Sequence, residues 1–471
     1  MPHPSPLNPK PPTLLAHGDR SLISNLSGVT RVTPDGSLVR ALGVWGLAAS
    51  IVNVTVGGGI FRLPAAAAGA LGNAAPLAYV VCAIAMGLIV LCFAEAGSRV
   101  SLTGGLYAYV EVAFGPLVGF VTGMLLWAGL TIATAAVASF LADALGSMSP
   151  ALAAEPLRSI VLALTVAVFA ALNVIGVKDA SRFNNVMTVA KLAPLVILVV
   201  VGATAVKASN LALPSGTTSS AIARASTVLI FAFLGVESAL VPSGEVREPA
   251  RTVPRAIFLA MTAVTLLYLV IQLVTQGLLG SSLASQKTPL AEAAAVVMGS
   301  PGRTLILVGS ALSMLGYTSG MTLAVPRMLF AFGRDGFLPR QFAAVHPRFH
   351  TPWVAIIVQS VVVIIVAVSG TFETLAVIAN GSILVIYAAC AVAVLQLRRR
   401  NVRESGEPFR PPLGGVIPIL ALVVILWLLA TLTTREWTAV SALVVIAVVI
   451  YFLSMPSRRR SIASRPSEIA A

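Results

Sequence analysis

Long apolar runs dominate the pattern of this chain. A stretch of roughly 20 residues with few charges is what a helix needs to cross about 30 Å of hydrocarbon. Such runs fall at about 39–71, 76–98, 106–145, 158–175, 184–206, 219–241, 254–279, 302–332, 352–369, 371–397, 413–433 and 436–454. The pattern therefore predicts an all-α integral membrane protein with twelve transmembrane helices. Two of the runs are interrupted by glycine. The first carries Gly57-Gly58-Gly59 followed by Leu63-Pro64, and the sixth carries Gly235 within Phe231-Ala232-Phe233-Leu234-Gly235-Val236-Glu237-Ser238. A helix broken at membrane depth exposes backbone dipoles that must face a protein-lined cavity.

The spacing of the breaks adds organisation. Gly58 and Gly235 lie 177 residues apart with spans two to five between them, so the implied repeat is five spans long. An odd number of spans inserts its copy with opposite orientation. Corresponding breaks in two halves point to an inverted-repeat transporter with its site near the midplane. Packing is the competing reading, because glycine also lets membrane helices approach closely.

Composition and charge narrow the class. With 57% hydrophobic and 10% charged residues and a mean hydropathy of +0.94, a soluble globular protein is excluded. The net charge of +14 could suggest nucleic acid, but its distribution argues otherwise. With an even number of spans the termini share one side, and that side carries 23 of the 31 basic residues. Arg158, Lys207, Arg224, Lys287, Arg303 and Arg435 lie opposite, while Arg62 and Lys191 fall within spans. Both termini are thus expected in the cytoplasm, with the basicity serving orientation and contact with anionic lipid. Arginine outnumbers lysine 26 to 5, which hints at a GC-rich bacterial genome and an inner-membrane, multi-pass protein.

Candidate chemistry excludes more than it adds. Cys82, Cys92 and Cys390 sit inside spans and read as packing residues. His3, His17, His346 and His350 lie in the N-terminal tail or in one loop, which argues against haem ligation, a histidine metal site or a histidine proton relay. No HExxH, Walker A or GxSxG pattern occurs, so no enzyme, cofactor or metal is expected. The first 37 residues are rich in Pro and Ser without an apolar core, and read as a disordered cytoplasmic tail, not a signal peptide.

Several motifs resemble the amino acid–polyamine–organocation (APC) transporters. They are Gly57-Gly58-Gly59-Ile60-Phe61 with Leu63-Pro64; Phe93-Ala94-Glu95 leading into Gly104-Gly105-Leu106-Tyr107-Ala108-Tyr109 and Phe114-Gly115; and Gly235-Val236-Glu237-Ser238. Glu248-Pro249-Ala250-Arg251-Thr252-Val253-Pro254 and Arg334-Asp335-Gly336-Phe337-Leu338-Pro339 with Thr351-Pro352 continue the series. The resemblance implies a leucine-transporter-like 5+5 inverted repeat with two added C-terminal helices. The layout is then a tail (1–37), a first repeat (38–206), a second repeat (219–397), a basic loop (398–412), two further spans (413–455) and a C-terminal tail (456–471).

The resemblance also implies a site. In that family amides of the first broken helix hold the substrate carboxylate, and carbonyls of the first and sixth hold its ammonium, in keeping with the dipoles of half-helix ends. Gly57, Gly58, Gly59 and Ile60 are expected to offer amides, with Val54, Thr55, Phe231, Leu234 and Gly235 near the ammonium or side chain. Phe231 reads as a lid or as simple core packing.

Four ionisable side chains stand within spans, where charge is costly and suggests function. Lys191 matches a fifth-span lysine that, in several sodium-independent relatives, takes the place of a sodium ion; a polar residue of the eighth span, Ser313 or Ser319, is its expected companion. The alternative is a lysine reaching the membrane surface. Glu237 can exchange protons with the pathway or merely stabilise the unwound segment. Glu95, beside Arg99, reads as a structural ion pair. Arg62 departs from the family's usual aliphatic residue and either attracts carboxylates or snorkels outward.

The expected protein is therefore a sodium-independent secondary amino acid transporter working by alternating access, as proton symporter or exchanger, with amino acid, protons and membrane lipid as its partners. A polyamine or amine carrier is disfavoured because only Glu237 offers an anion near the site. A nutrient sensor without net flux would need a large soluble effector domain, and the longest extramembrane segment is the N-terminal tail of about 38 residues.

Overall fold

Glycine and proline punctuate the chain and decide where its helices begin and end. The computed structural model describes residues 43–100, 105–175, 180–212, 217–239, 246, 248–403 and 407–463. Side chains of 147, 148, 150, 180–188, 238, 239, 249 and 455–463 are outside that description, as are the expected N-terminal tail, residues 464–471, Gly104 and Lys178, whereas 456–463, expected as the start of the C-terminal tail, continues the last helix. Among the described residues there are helices and no strand.

The first apolar run forms α1 (Val44–Thr55) and α2 (Gly59–Leu71), separated by Val56-Gly57-Gly58. A short 3-10 turn leads to α3 (Ala75–Arg99). The single run expected at 106–145 is two helices, α4 (Leu106–Phe114) and α5 (Pro116–Met148). Gly115, at φ 91°, divides them, and Pro116 opens α5 because its missing N–H is no loss in a first turn. Next come a one-turn α6 (Pro150–Ala153), α7 (Leu157–Ile175) and α8 (Ala180–Gly202).

The sixth run is α9 (Ser219–Leu229), a 3-10 turn over Ile230–Phe233, and α10 (Val236–Ala239). Thr218 caps α9 by accepting from the Ala221 amide. The chain continues as α11 (Pro249–Leu279), α12 (Pro289–Ala324), α13 (Pro326–Arg334), α14 (Trp353–Ser369), α15 (Phe372–Arg399), α16 (Val416–Leu429) and α17 (Thr434–Ala463). The run expected at 302–332 starts earlier, at Pro289, and turns at Gly299, whose φ of 65° departs from the helix. Prolines open α11, α12 and α13.

Among the described residues, seven helical stretches are long and apolar enough to cross a membrane, and five shorter apolar helices accompany them. The exposed faces carry the same chemistry as the core: Ile160, Leu164 and Val168 on α7, Val361 and Ile365 on α14, and Val445 and Leu453 on α17 are all open. Apolar surface on that scale belongs in lipid. In contrast α5 and α15 are buried along most of their length and pack on each other, α11 packs on α1 and α3, and α12 on α8. The chain is thus an all-helical, multi-pass membrane protein whose two broken stretches lie in its interior.

At one end of the bundle the Glu95 carboxylate is wholly buried. It accepts from Arg99 at 2.9 Å, the ion pair expected from sequence, and also from Arg398 of α15. Arg398 reaches on to the Gly414 carbonyl and Arg99 to that of Val402. Two guanidiniums saturate one carboxylate, so this buried charge is structural glue between α3, α15 and the segment leading to α16.

Candidate functional site: two broken helices

Ending α1 at Thr55 leaves its last carbonyls without helical partners. Three oxygens at alternate residues across the break, from Asn53 to Gly57, each receive a donor from a different helix. The Lys191 ammonium of α8 donates to the Asn53 carbonyl, the Tyr268 hydroxyl of α11 stands 3.0 Å from that of Thr55, and the Ser313 hydroxyl of α12 donates to that of Gly57 at 3.3 Å. Lys191 is 4% exposed, so it does not reach the surface. Ser313 takes Gly57 instead of accompanying Lys191, and Ser319 makes no hydrogen bond among the described residues.

On the other side of the break, Gly59 and Ile60 open α2. Together with Gly58 their amides find no acceptor among the described residues, while Phe61 N–H donates back to Gly58 at 3.2 Å. First-turn amides of this kind form a partial positive charge aimed at an anion. The Thr55 hydroxyl, buried beside them, also lacks a partner.

The second break is built differently. Gly235 adopts φ 117°, a region closed to residues with a Cβ, and an added Cβ would lie 2.9–3.0 Å from Val54. Gly235 is therefore where the two broken stretches touch. Its amide donates to Glu237 Oε1 at 2.9 Å, and the Tyr387 hydroxyl of α15 donates to Oε2 at 2.8 Å. Asn380, also on α15, donates to the carbonyls of Thr227 and Val228 in the last turn of α9. Tyr268 belongs to both sites, since its hydroxyl is also 3.0 Å from the Ala232 carbonyl. One O–H proton serves one of the two carbonyls at a time.

The space between the breaks is closed. An added Cβ would meet Tyr317 at 3.1 Å from Gly57, Met314 at 3.0 Å from Gly58 and Phe231 at 3.1 Å from Gly59. Phe231 is buried edge-on against Phe372, which packs on Phe140. A cavity beside them, lined in part by Phe61, Phe140 and Ser310, has only about 10 Å³, space for one water at most. The structure thus brings Val54, which is partly exposed, and the buried Thr55, Gly57, Gly58, Gly59, Ile60, Phe231, Leu234, Gly235, Lys191 and Glu237 into one region, with Phe231 packed in it.

Arg62 neither snorkels nor stands free. It donates to Glu373 of α15 at 2.7 and 2.9 Å and to the Lys287 carbonyl at 2.7 Å, so it ties α2 to α15 and to the segment before α12. Sequence reasoning missed Tyr268, Tyr387, Asn53 and Glu373. For Tyr268 a signal existed: Tyr268, Gln272 and Gln276 put polar groups at i, i+4 and i+8 along an apolar helix, and all three are buried.

A multi-pass helical protein with two glycine-broken helices meeting around free amides and donor-held carbonyls is, as a class, a membrane transporter. The amino acid permease family matches residues 42–461, and the chain belongs to it, within the APC superfamily. It is 30% identical to a methylthioribose transporter of Bacillus subtilis over 91% of this chain and 96% of that protein. A branched-chain amino acid permease of the same organism is 27% identical over 90% of this chain and 95% of its own length. A serine/threonine exchanger, again from Bacillus subtilis, is 28% identical over 83% and 90%. The family and these relatives are transporters, so the chain is a transport protein and not an enzyme.

Proposed function

We propose that this chain is a sodium-independent amino acid transporter working by alternating access. Its fold is twelve spans arranged as a 5+5 inverted repeat (38–206 and 219–397) with two added spans (413–455), both termini and the basic loop 398–412 being cytoplasmic. Seven long and five shorter apolar helices support that count. Under this reading Gly57, Gly58, Gly59 and Ile60 face the substrate carboxylate, Val54, Thr55, Phe231, Leu234 and Gly235 face its ammonium and side chain, and Arg62 with Glu373 closes the outer mouth.

The Lys191 contact carries the proposal. A fixed ammonium on the Asn53 carbonyl supplies the positive charge that would otherwise have to come from a bound cation, and its release and return accompany movement of α1 against α8. Glu237, held by Gly235 and Tyr387, is the group that couples protons to substrate, either for symport or for the resetting step of exchange.

The experiment is uptake by purified protein in liposomes, with a panel of labelled amino acids, in sodium or choline, with and without a pH gradient. Uptake of at least one amino acid, indifferent to sodium, is the expected result. Steep dependence on sodium would contradict the role given to Lys191. The 30% identity to a methylthioribose transporter favours a second reading, in which the substrate is a small thio-sugar. Including methylthioribose in the panel separates the two.

A further inference from the structure

Away from the breaks, the Pro249 end of α11 carries exposed arginines beside exposed apolar side chains. At 31 residues this helix is about 46 Å long at 1.5 Å per residue, longer than the ~30 Å hydrocarbon core needs, and its first turns carry exposed Arg251 and Arg255, side chains suited to a headgroup layer. A groove of about 640 Å³ opens there, between Arg251, Arg255, Phe258 and Leu259 of α11 and Phe409 of the segment before α16. That volume is in the range of small-molecule sites.

The groove is graded. Arg251 and Arg255 lie one turn apart at its outer edge, while exposed Phe258 and Leu259 continue toward the core, with Phe409 edge-on to Phe258 at 6.3 Å. Arg255 has no hydrogen bond or ion pair among the described residues. Arg251 has only Glu248 at 3.7 Å, a pair in which both side chains are about three-quarters exposed and which therefore contributes little. Other arginines of the bundle, Arg62, Arg99, Arg158, Arg224, Arg303 and Arg398, hold carboxylates, whereas exposed Arg340 and Arg348 resemble Arg255 in holding none among the described residues but flank no such groove. Arg255 without an anion and Arg251 with only a weakly held one, beside an aromatic and aliphatic slot, complement a molecule with a phosphate at one end and alkyl chains at the other.

We propose that this groove is a binding site for one anionic phospholipid, with the phosphate between Arg251 and Arg255 and an acyl chain along Phe258, Leu259 and Phe409. The site is independent of which substrate is carried. Bound lipid joins α11, whose Tyr268 touches both breaks, to the segment running from α15 to α16.

The test uses full-length protein purified from phosphatidylcholine vesicles containing phosphatidylglycerol, with retained lipid counted by native mass spectrometry. Wild type should keep one phosphatidylglycerol in preference to phosphatidylcholine, less tightly as salt rises. Arg251→Gln with Arg255→Gln should weaken retention roughly thirtyfold, at the usual contribution of each basic residue near an anionic surface. Arg340→Gln with Arg348→Gln, two exposed arginines of the segment between α13 and α14, should leave it unchanged. Phe409→Ala should weaken it without altering charge. Equal retention by the first pair, equal loss in the second, or displacement by soluble glycerol phosphate as readily as by lipid would overturn the site.

Discussion

The two breaks solve one problem, unpaired backbone within a membrane, by different means. The first is held from outside: Lys191, Tyr268 and Ser313 come from three helices to the carbonyls of Asn53, Thr55 and Gly57. The second is held largely from within, because Glu237 folds back onto the Gly235 amide and accepts from Tyr387 of α15, with Asn380 of the same helix on the preceding turn and Tyr268 of α11 near the Ala232 carbonyl. The first break is therefore sensitive to where α8, α11 and α12 stand, whereas the second travels with α15. Tyr268 is where the two meet. Under the proposed mechanism, α1 and α2 report the movement of the surrounding helices and α9 and α10 carry the titrating group.

Removing the charged prop of the first break should have the largest effect. Lys191→Ala leaves the Asn53 carbonyl buried without its donor, a deficit of about 1–3 kcal/mol, and is expected to lower uptake by roughly ten- to a hundredfold. Near-normal uptake in the alanine variant would leave Lys191 with no part in transport. Tyr268→Phe tests whether the breaks are linked. It removes the one proton shared by the Thr55 and Ala232 carbonyls, and a fall in thermal stability of about 1–2 kcal/mol is expected, together with a loss of uptake smaller than that of Lys191→Ala. Unchanged stability and uptake would make the breaks independent.

Glu237→Gln probes the second break alone. The amide keeps the shape and its oxygen can still accept from Gly235, while the Tyr387 hydroxyl must turn to accept from the amide NH2, and the group cannot ionise. Substrate exchange should persist while the pH dependence of uptake flattens, and a pH profile identical to wild type would leave Glu237 with a structural role only. Ser313→Ala should show the smallest change. Its 3.3 Å bond to Gly57 is long, and about 0.5–1 kcal/mol of stability is expected to go. A loss as large as that of Lys191→Ala would mean that the three props act as one unit.

Much of this was legible in the chain. Gly57-Gly58-Gly59 and Gly235 announce broken helices, since only residues without a Cβ tolerate φ 117° or a backbone neighbour at 3.0 Å. Lys191 and Glu237 announce themselves by charge in apolar runs, and Glu95 with Arg99 by the i, i+4 spacing of a helical ion pair. These are local signals: hydropathy, conformational freedom and spacing along one helix.

Partners across the bundle were not legible. That Arg62 would find Glu373, 311 residues on, and the Lys287 carbonyl depended on α2 and α15 lying side by side. That Arg398 would share Glu95, or that Tyr387 would reach Glu237, likewise follows from the packing of α15 against α3 and the broken ninth and tenth helices. The sequence by itself determined the class, the apolar runs and the two glycine breaks at Gly57–Gly59 and Gly235, though not the turns at Gly115 and Gly299, because solvation in a bilayer acts on each segment alone. The tertiary structure decided which donor meets which carbonyl, because a hydrogen bond needs two atoms about 3 Å apart, and only the packed bundle sets that distance.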